Sequence, residues 1–328
     1  MTRVFAPAKI NLFLHIGDRR ADGYHELESL VAFADAGDDL TFEDADTLSL
    51  AVDGPFGAAL AGEGDNLVLR AAYGVAALAG HDLPRRITLT KNLPVASGIG
   101  GGSADAAATL RAFLLEWRQE EIRLADFVEL AKTLGADVPV CFFGHSAWMY
   151  GIGDGIERTD LPELHAVLVN PGVSIATRDV FANLSARSGV DKLHWPEGFA
   201  SADDVVTFLK TVGNDLEAPA LELAPVIGEV LKTLRGANGV RLARMSGSGA
   251  TCFGLFADQT GAQVAASQIA RDHPQWWVRP TVLAKADWSG ISVATPGWSI
   301  VSRASMPIVL NDAAISPRVW VRCAQLSL

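Results

Sequence analysis

The chain has 328 residues, with 27 Lys and Arg against 38 Asp and Glu, a formal net charge of −11. It is 49% hydrophobic and 20% charged, which excludes a disordered chain and allows two ordinary domains or one large one. The acidic balance excludes a nucleic-acid binder built on a basic footprint, but not a small phosphorylated ligand held by backbone N–H groups and a local cation. No apolar run reaches the ~18 residues of a membrane helix. Lys9 and Asn11 interrupt the apolar N-terminus too early for a signal peptide, so a cytoplasmic protein is expected. Cys141, Cys252 and Cys323 are too far apart for a CxxC pair and read as buried structural thiols.

In chain order, residues 9–16 (KINLFLHI) alternate with period two, which predicts a strand with Lys9 and Asn11 on one face. A turn-rich loop with Asp22-Gly23 follows, ahead of Tyr24 and His25. Residues 66–78 predict a helix with Asp65 as N-cap, and residues 86–90 a short strand. Next comes LPVASGIGGGSAD, residues 93–105, running directly into the alanine- and leucine-rich helix former AAATLRAFLLEW. Residues 124–134 show one apolar helical face stopped by Gly135, followed by the loop 136–139 and an apolar segment, 140–143. Glycines cluster at 151–155, where a domain boundary is placed. A strand at 166–170, helices near 178–185, 202–209 and 218–234, and a strand at 251–256 complete the pattern. The irregular order of strands and helices predicts an α+β fold. Residues 286–328 carry Trp288, Trp298 and Trp320 without a clear period and read as an extension of unassigned role.

The chemistry begins at Gly98, Gly100, Gly101, Gly102, Ser103 and Asp105. Glycines let a backbone bend tightly and approach a ligand, and a helix start offers unpaired N–H groups and a favourable dipole to an anion. Neither the Walker A pattern nor G-x-G-x-x-G is present, so the run is either a phosphate cradle or a plain loop. Lys9 is a solvated strand charge or a catalytic cation, and Asp137 a turn residue or a carboxylate base. A second cluster, Ser246-Gly247-Ser248-Gly249, is a hairpin turn or a second wall of the same phosphate site.

Three segments together resemble the motifs of the GHMP kinase superfamily, the galacto-, homoserine, mevalonate and phosphomevalonate kinases. They are Pro7-Ala8-Lys9-Ile10-Asn11-Leu12, residues 94–107, and Gly247-Ser248-Gly249-Ala250. Gly23-Tyr24-His25-Glu26-Leu27, Gly135-Ala136-Asp137-Val138-Pro139 and Gly213-Asn214-Asp215-Leu216-Glu217 narrow the resemblance to one branch. That branch phosphorylates the 2-hydroxyl of a cytidine diphosphate-linked methylerythritol in the non-mevalonate isoprenoid pathway.

The resemblance implies a two-domain fold with its active site in the inter-domain cleft. The domains expected are residues 1–155 (ATP-binding) and 156–285, with 286–328 appended. It implies ATP as co-substrate with Mg²⁺, for which Ser103 is the one protein ligand named, and neither nucleic acid nor membrane as partner. Asp137 matches the catalytic base and Lys9 the lysine paired with it. Pro94, Val95, Ala96, Ser97, Gly98, Ile99, Gly100, Gly101, Gly102 and Ser103 match the ATP loop, and Asn66 and Lys91 the adenine pocket. Asn11, Gly247 and Ser248 match the substrate site, Tyr24 and His25 the cytidine pocket, and Thr177 and Phe181 its opposite wall. Family members often carry more glycine or a leucine where this loop reads Ala96-Ser97-Gly98-Ile99. Two alternatives remain: a homoserine or mevalonate kinase, which would have no use for Tyr24-His25, and a catalytically dead nucleotide sensor.

Overall fold

A computed structural model describes residues 1–21, 23–60, 65–116, 123–190, 195–284 and 292–293. The turn residue Asp22, Cys323 and nearly all of the extension, with its three tryptophans, lie outside the described residues. The fold is α+β, as its mixed pattern predicted.

Two long antiparallel strands, β1 (Thr2–Arg19) and β2 (His25–Asp44), form the spine. The other strands are β3 (Ser49–Asp53), β4 (Arg85–Thr90), β5 (Ala147–Gly151), β6 (Gly155–Arg158), β7 (Leu164–Asn170), β8 (Val240–Met245), β9 (Cys252–Phe256), β10 (Trp277–Leu283) and β11 (Ser292–Val293). The central order is β11-β1-β2-β10-β7-β9-β8, with β4 and β5 also on β2, β3 on β4 and β6 on β5. A single register pair, Leu283 with Ala34, joins the first-half sheet to the second. The hairpin β5–β6 carries the chain across residue 155, with Ala147 opposite Arg158.

The helices are α1 (Leu67–Ala79), α2 (Gly101–Glu116), α3 (Leu124–Leu134), α4 (Val138–Phe143), α5 (Thr177–Ala182), α6 (Ala202–Leu209), α7 (Glu217–Leu223), α8 (Val226–Gly236) and α9 (Gln259–Asp272). The ends of α3 and α6 fall where local pattern places them. The predicted helix at 218–234 divides instead, because Pro225 interrupts the chain between α7 and α8. The N-cap of α1 is Asn66, whose side chain accepts from the Val68 N–H, rather than Asp65. The apolar segment after Asp137 is a helix, α4, with Pro139 in its first turn.

Three apolar cores hold these elements. Helices α1 to α4 pack on the first sheet around Phe33, Phe42, Phe113 and Phe127. The alanines of α2 (104, 106, 107, 108 and 112) are all buried there, and their small side chains let the helix lie close to β1. Helices α7, α8 and α9 cover the second sheet around Val167, Val169 and Phe256, and α6 closes a third core over Ile10, Leu12 and Phe13. Strand β1 is therefore covered on both faces, and its alternation does not separate solvent from core. Lys9 and Asn11 are 4% and 5% exposed.

Arg111 ties two of these layers together. Its Nη1 donates to the Cys141 carbonyl of α4 at 2.5 Å and its Nη2 to the Phe5 carbonyl of β1 at 3.0 Å. Burial pulls the guanidinium down to about 10, which still leaves it charged at neutral pH. Arg111→Met strands both carbonyls, and urea denaturation is expected to show a loss of about 2–5 kcal/mol.

Candidate active site

The glycine loop, the N-terminal part of α4, β1 and the second glycine cluster enclose a cleft of about 770 Å³. Lys9 and Asp137 meet there, with Nζ 2.8 Å from Oδ1. The lysine is buried, whereas the Asp137 side chain is 38% exposed and faces the cleft it lines. Asp137 occupies the N-cap position of α4, immediately after the Gly135-Ala136 stop of α3. A helix stop and a helix start two residues apart thus project one carboxylate onto the buried ammonium.

The two glycine clusters interlock. The Thr251 N–H donates to the Ser97 carbonyl at 3.0 Å, and the Ser246 hydroxyl donates to the Gly98 carbonyl at 3.1 Å. The Asn11 N–H donates to that same hydroxyl, which carries β1 into the contact. Gly98 has φ +75°, and a Cβ there would lie 2.5 Å from the Gly249 carbonyl oxygen and 2.6 Å from that of Ser246. Gly98→Ala is therefore expected to force the clusters apart and lower stability by more than about 2 kcal/mol in thermal denaturation. Asn214 braces the second cluster, its Nδ2 donating to the Met245 and Gly247 carbonyls at 2.8 Å each. Asp215 beside it accepts from the Ile16 N–H at 2.7 Å. The Gly213–Glu217 motif is thus a brace between β1 and the second glycine cluster.

Pro94, Val95, Ala96, Ser97, Gly98, Gly100, Gly101, Gly102 and Ser103 all line the cleft. Ile99 does not. Its side chain is fully buried in the third core, where with Leu93 it anchors the loop, and its carbonyl accepts the Lys9 N–H at 2.9 Å. Ala96 adopts φ +49°, a left-handed conformation that glycine reaches without steric cost. The first turn of α2, whose leading N–H groups lack helical partners, lines the cleft through Gly101, Gly102 and Ser103.

Asn66 and Lys91 line the cleft, with duties that limit what they can offer a base. The Asn66 Oδ1 caps α1, so its Nδ2 is the group left for a ligand. The Lys91 ammonium turns inward, 2.5 Å from Asp38 Oδ2 and 2.7 Å from Asp105 Oδ2. Desolvation lowers it, but the charges of Asp105 and Asp38 outweigh that and hold it above its ordinary value. Burial pushes the Asp105 carboxyl up to about 7, opposed by Lys91 and reinforced by Asp38. Local pattern gave no sign of Asp38, because its partners lie more than fifty residues away.

At the other end of the cleft, His25 and Phe181 lie with ring centroids 5.5 Å apart and planes inclined by 31°. Tyr24 is exposed at the rim. The His25 Nδ1 lies 3.3 Å from the Gly17 carbonyl, which can only accept, so a neutral ring leaves Nε2 as an acceptor. Thr177 meets Ser248 through their hydroxyls at 2.9 Å, linking α5 to the second glycine cluster, and Gly247 lines the cleft beside them. Asn11 donates through Nδ2 to the Ser29 hydroxyl at 2.8 Å, which holds its amide plane in place.

The family descriptions "GHMP kinases N terminal domain" and "GHMP kinases C terminal" match residues 66–145 and 200–275. The 4-diphosphocytidyl-2-C-methyl-D-erythritol kinase of Bradyrhizobium diazoefficiens is 48% identical over 288 residues, covering 84% of this chain and 96% of the relative. The chain belongs to the GHMP kinases. The Rhodospirillum rubrum protein of the same name is 50% identical over 275 residues, covering 83% of this chain and 89% of the relative. The crystal structure of a 4-(cytidine 5'-diphospho)-2C-methyl-D-erythritol kinase superposes with a TM-score of 0.70 at 34% identity, over 85% of this chain and 98% of that one. Homoserine kinase from Cytophaga hutchinsonii, at 18% identity and a TM-score of 0.59 over 89% and 96% of the chains, shares the fold alone. The protein is a kinase with the two-domain GHMP fold, and members of the family use ATP as co-substrate. Among the described residues, no helix is long and apolar enough to cross a membrane.

Proposed function

We propose that this kinase transfers the γ-phosphoryl group of ATP to the 2-hydroxyl of 4-diphosphocytidyl-2-C-methyl-D-erythritol, in the non-mevalonate route to isoprenoid precursors. One observation carries the choice of substrate: the His25–Phe181 aromatic wall stands in the same cleft as the Lys9–Asp137 pair and the glycine loop. A phosphate cradle and a base fit any kinase of the family. Paired rings with an acceptor nitrogen beside them suit a nucleobase carrying an amino group, and neither homoserine nor mevalonate has one. The names of relatives near half identity support the same reading.

In this reading Asp137 accepts the proton of the attacking hydroxyl as it closes on the γ-phosphorus. Lys9 balances the negative charge that gathers between base, nucleophile and phosphate. The N–H groups of residues 100–103 hold the phosphates, and Asn66 contacts the adenine. Asn11, Gly247, Ser248 and Thr177 hold the acceptor, and Tyr24 stacks on the cytosine beside His25. Mg²⁺, when bound, neutralises the β- and γ-phosphates. Among the described residues no group of three or more His, Cys, Asp or Glu could hold a metal. That donor set fits an ion carried by phosphate oxygens and water, with the Ser103 hydroxyl as the protein ligand.

A coupled ATPase assay tests the reading. Turnover is expected with the cytidine diphosphate substrate and not with homoserine or mevalonate; turnover with homoserine alone would reverse the assignment. His25→Ala should raise KM for the cytidine substrate about 10- to 100-fold, because a polar recognition contact is lost, and leave KM for ATP unchanged.

A further inference from the structure

Asp38 is fully buried, and the phosphoryl transfer described above gives it no task. Its Oδ1 accepts the N–H groups of Asn92 at 2.6 Å and Leu93 at 2.8 Å, the two residues that lead into the glycine loop. Its Oδ2 accepts the Lys91 ammonium at 2.5 Å, and that ammonium also donates to Asp105 Oδ2 at 2.7 Å. Asp105 stands in α2 just beyond the loop. The Lys91 backbone is fixed from the other side, with its N–H on the Asp53 carbonyl and its carbonyl on the Phe56 N–H. The loop crosses directly above: a Cβ at Gly101 would lie 3.1 Å from the Lys91 Nζ.

We propose that Asp38, Lys91 and Asp105 form an ionic staple that joins the entry and exit of the glycine loop and so aims the N–H groups of residues 100–103 at the nucleotide phosphates. They are positioning residues, and the inference rests on the reading that this loop holds phosphates. Stability alone is a poor reason for such a trio. Buried ions lose their hydration, and apolar residues of similar volume commonly stabilise a fold at least as well. The other Asp105 oxygen, Oδ1, is buried without a hydrogen-bond partner, which again costs stability. What the trio supplies is direction. Four short bonds converge from both ends of a segment whose glycines would otherwise leave it many conformations.

The test compares affinities for adenosine and a non-hydrolysable ATP analogue by calorimetry, with thermal denaturation confirming the fold. Asp105→Ala frees the exit of the loop while leaving the Lys91–Asp38 pair. It should weaken the ATP analogue by about tenfold and adenosine by less than about twofold. Asp105→Asn, which keeps an acceptor for Lys91, should restore most of the loss. A variant that fails to fold is replaced by Asp105→Ser, read by the same ratio. Unchanged affinity for the ATP analogue, or an equal loss for both ligands, would overturn the staple. Gly102→Asp, which sets a charge in the mouth of the loop, separates the two levels. If it leaves the ATP analogue bound as before, the phosphate reading itself fails. If it abolishes binding while Asp105→Ala binds normally, only the staple fails.

Discussion

Asp137→Ala is expected to lower kcat by about 10²–10⁴-fold, the usual range for removing a general base, while ATP still binds. The carboxylate stands on the cleft wall, and the glycine loop proposed to meet the nucleotide is braced by other residues, so nucleotide affinity has no direct route to Asp137. Stability should respond unequally to removing either member of the pair. Without Asp137 the buried Lys9 side chain, 4% exposed, loses the carboxylate that partners it, at a cost of about 1–3 kcal/mol. Lys9→Met leaves behind a carboxylate that water reaches, so its folding cost should be smaller although its kinetic cost is large. Asp137→Asn keeps a hydrogen-bond acceptor for Lys9 and should recover stability without recovering turnover. Single-turnover transfer from pre-bound ATP, with urea denaturation alongside, measures both sides. Near-normal turnover in Asp137→Ala would remove the base from the mechanism.

Gly102→Asp should move stability and ATP affinity in opposite directions. Gly102 is exposed in the first turn of α2, and a Cβ there meets only Leu67, at an ordinary 3.5 Å. A carboxylate near a helix N-terminus stabilises the folded chain by about 0.3–1 kcal/mol. The same carboxylate near a triphosphate costs about 2–3 kcal/mol in a partly desolvated cleft. That corresponds to about a hundredfold loss of ATP affinity, with adenosine little affected. Calorimetric titration and a melting curve on one sample decide it. A variant that melts no lower yet loses ATP marks the loop as the phosphate site, and one that binds ATP normally moves the phosphates elsewhere.

Much of this site was legible because its signals are local. A glycine run joined to a strong helix former declares a helix start with open N–H groups, and the loop runs straight into α2 at Gly101. The ends of α3 and α6 follow from apolar period and neighbouring caps, which act within one turn. Most places where the reading differed were decided by a longer-range interaction. Strand β1 alternates in sequence yet is buried on both sides, because helices cover one face and α6 closes on the other. Ile99 sits inside the loop motif but gives its side chain to the core. The break between α7 and α8 is local, because Pro225 cannot continue the helix that ends at Leu223.

Composition alone argued against a nucleic-acid binder and pattern alone located a glycine-rich helix start, since these depend on charge balance and on neighbours within a few residues. Whether Lys9 and Asp137 ever meet depends on packing between elements 128 positions apart, and only the tertiary structure brings Nζ to 2.8 Å from Oδ1. The same holds for Lys91. The family resemblance implied an adenine contact for it, but its ammonium lies between Asp38 and Asp105, because a buried cation takes the carboxylates that the fold sets within reach.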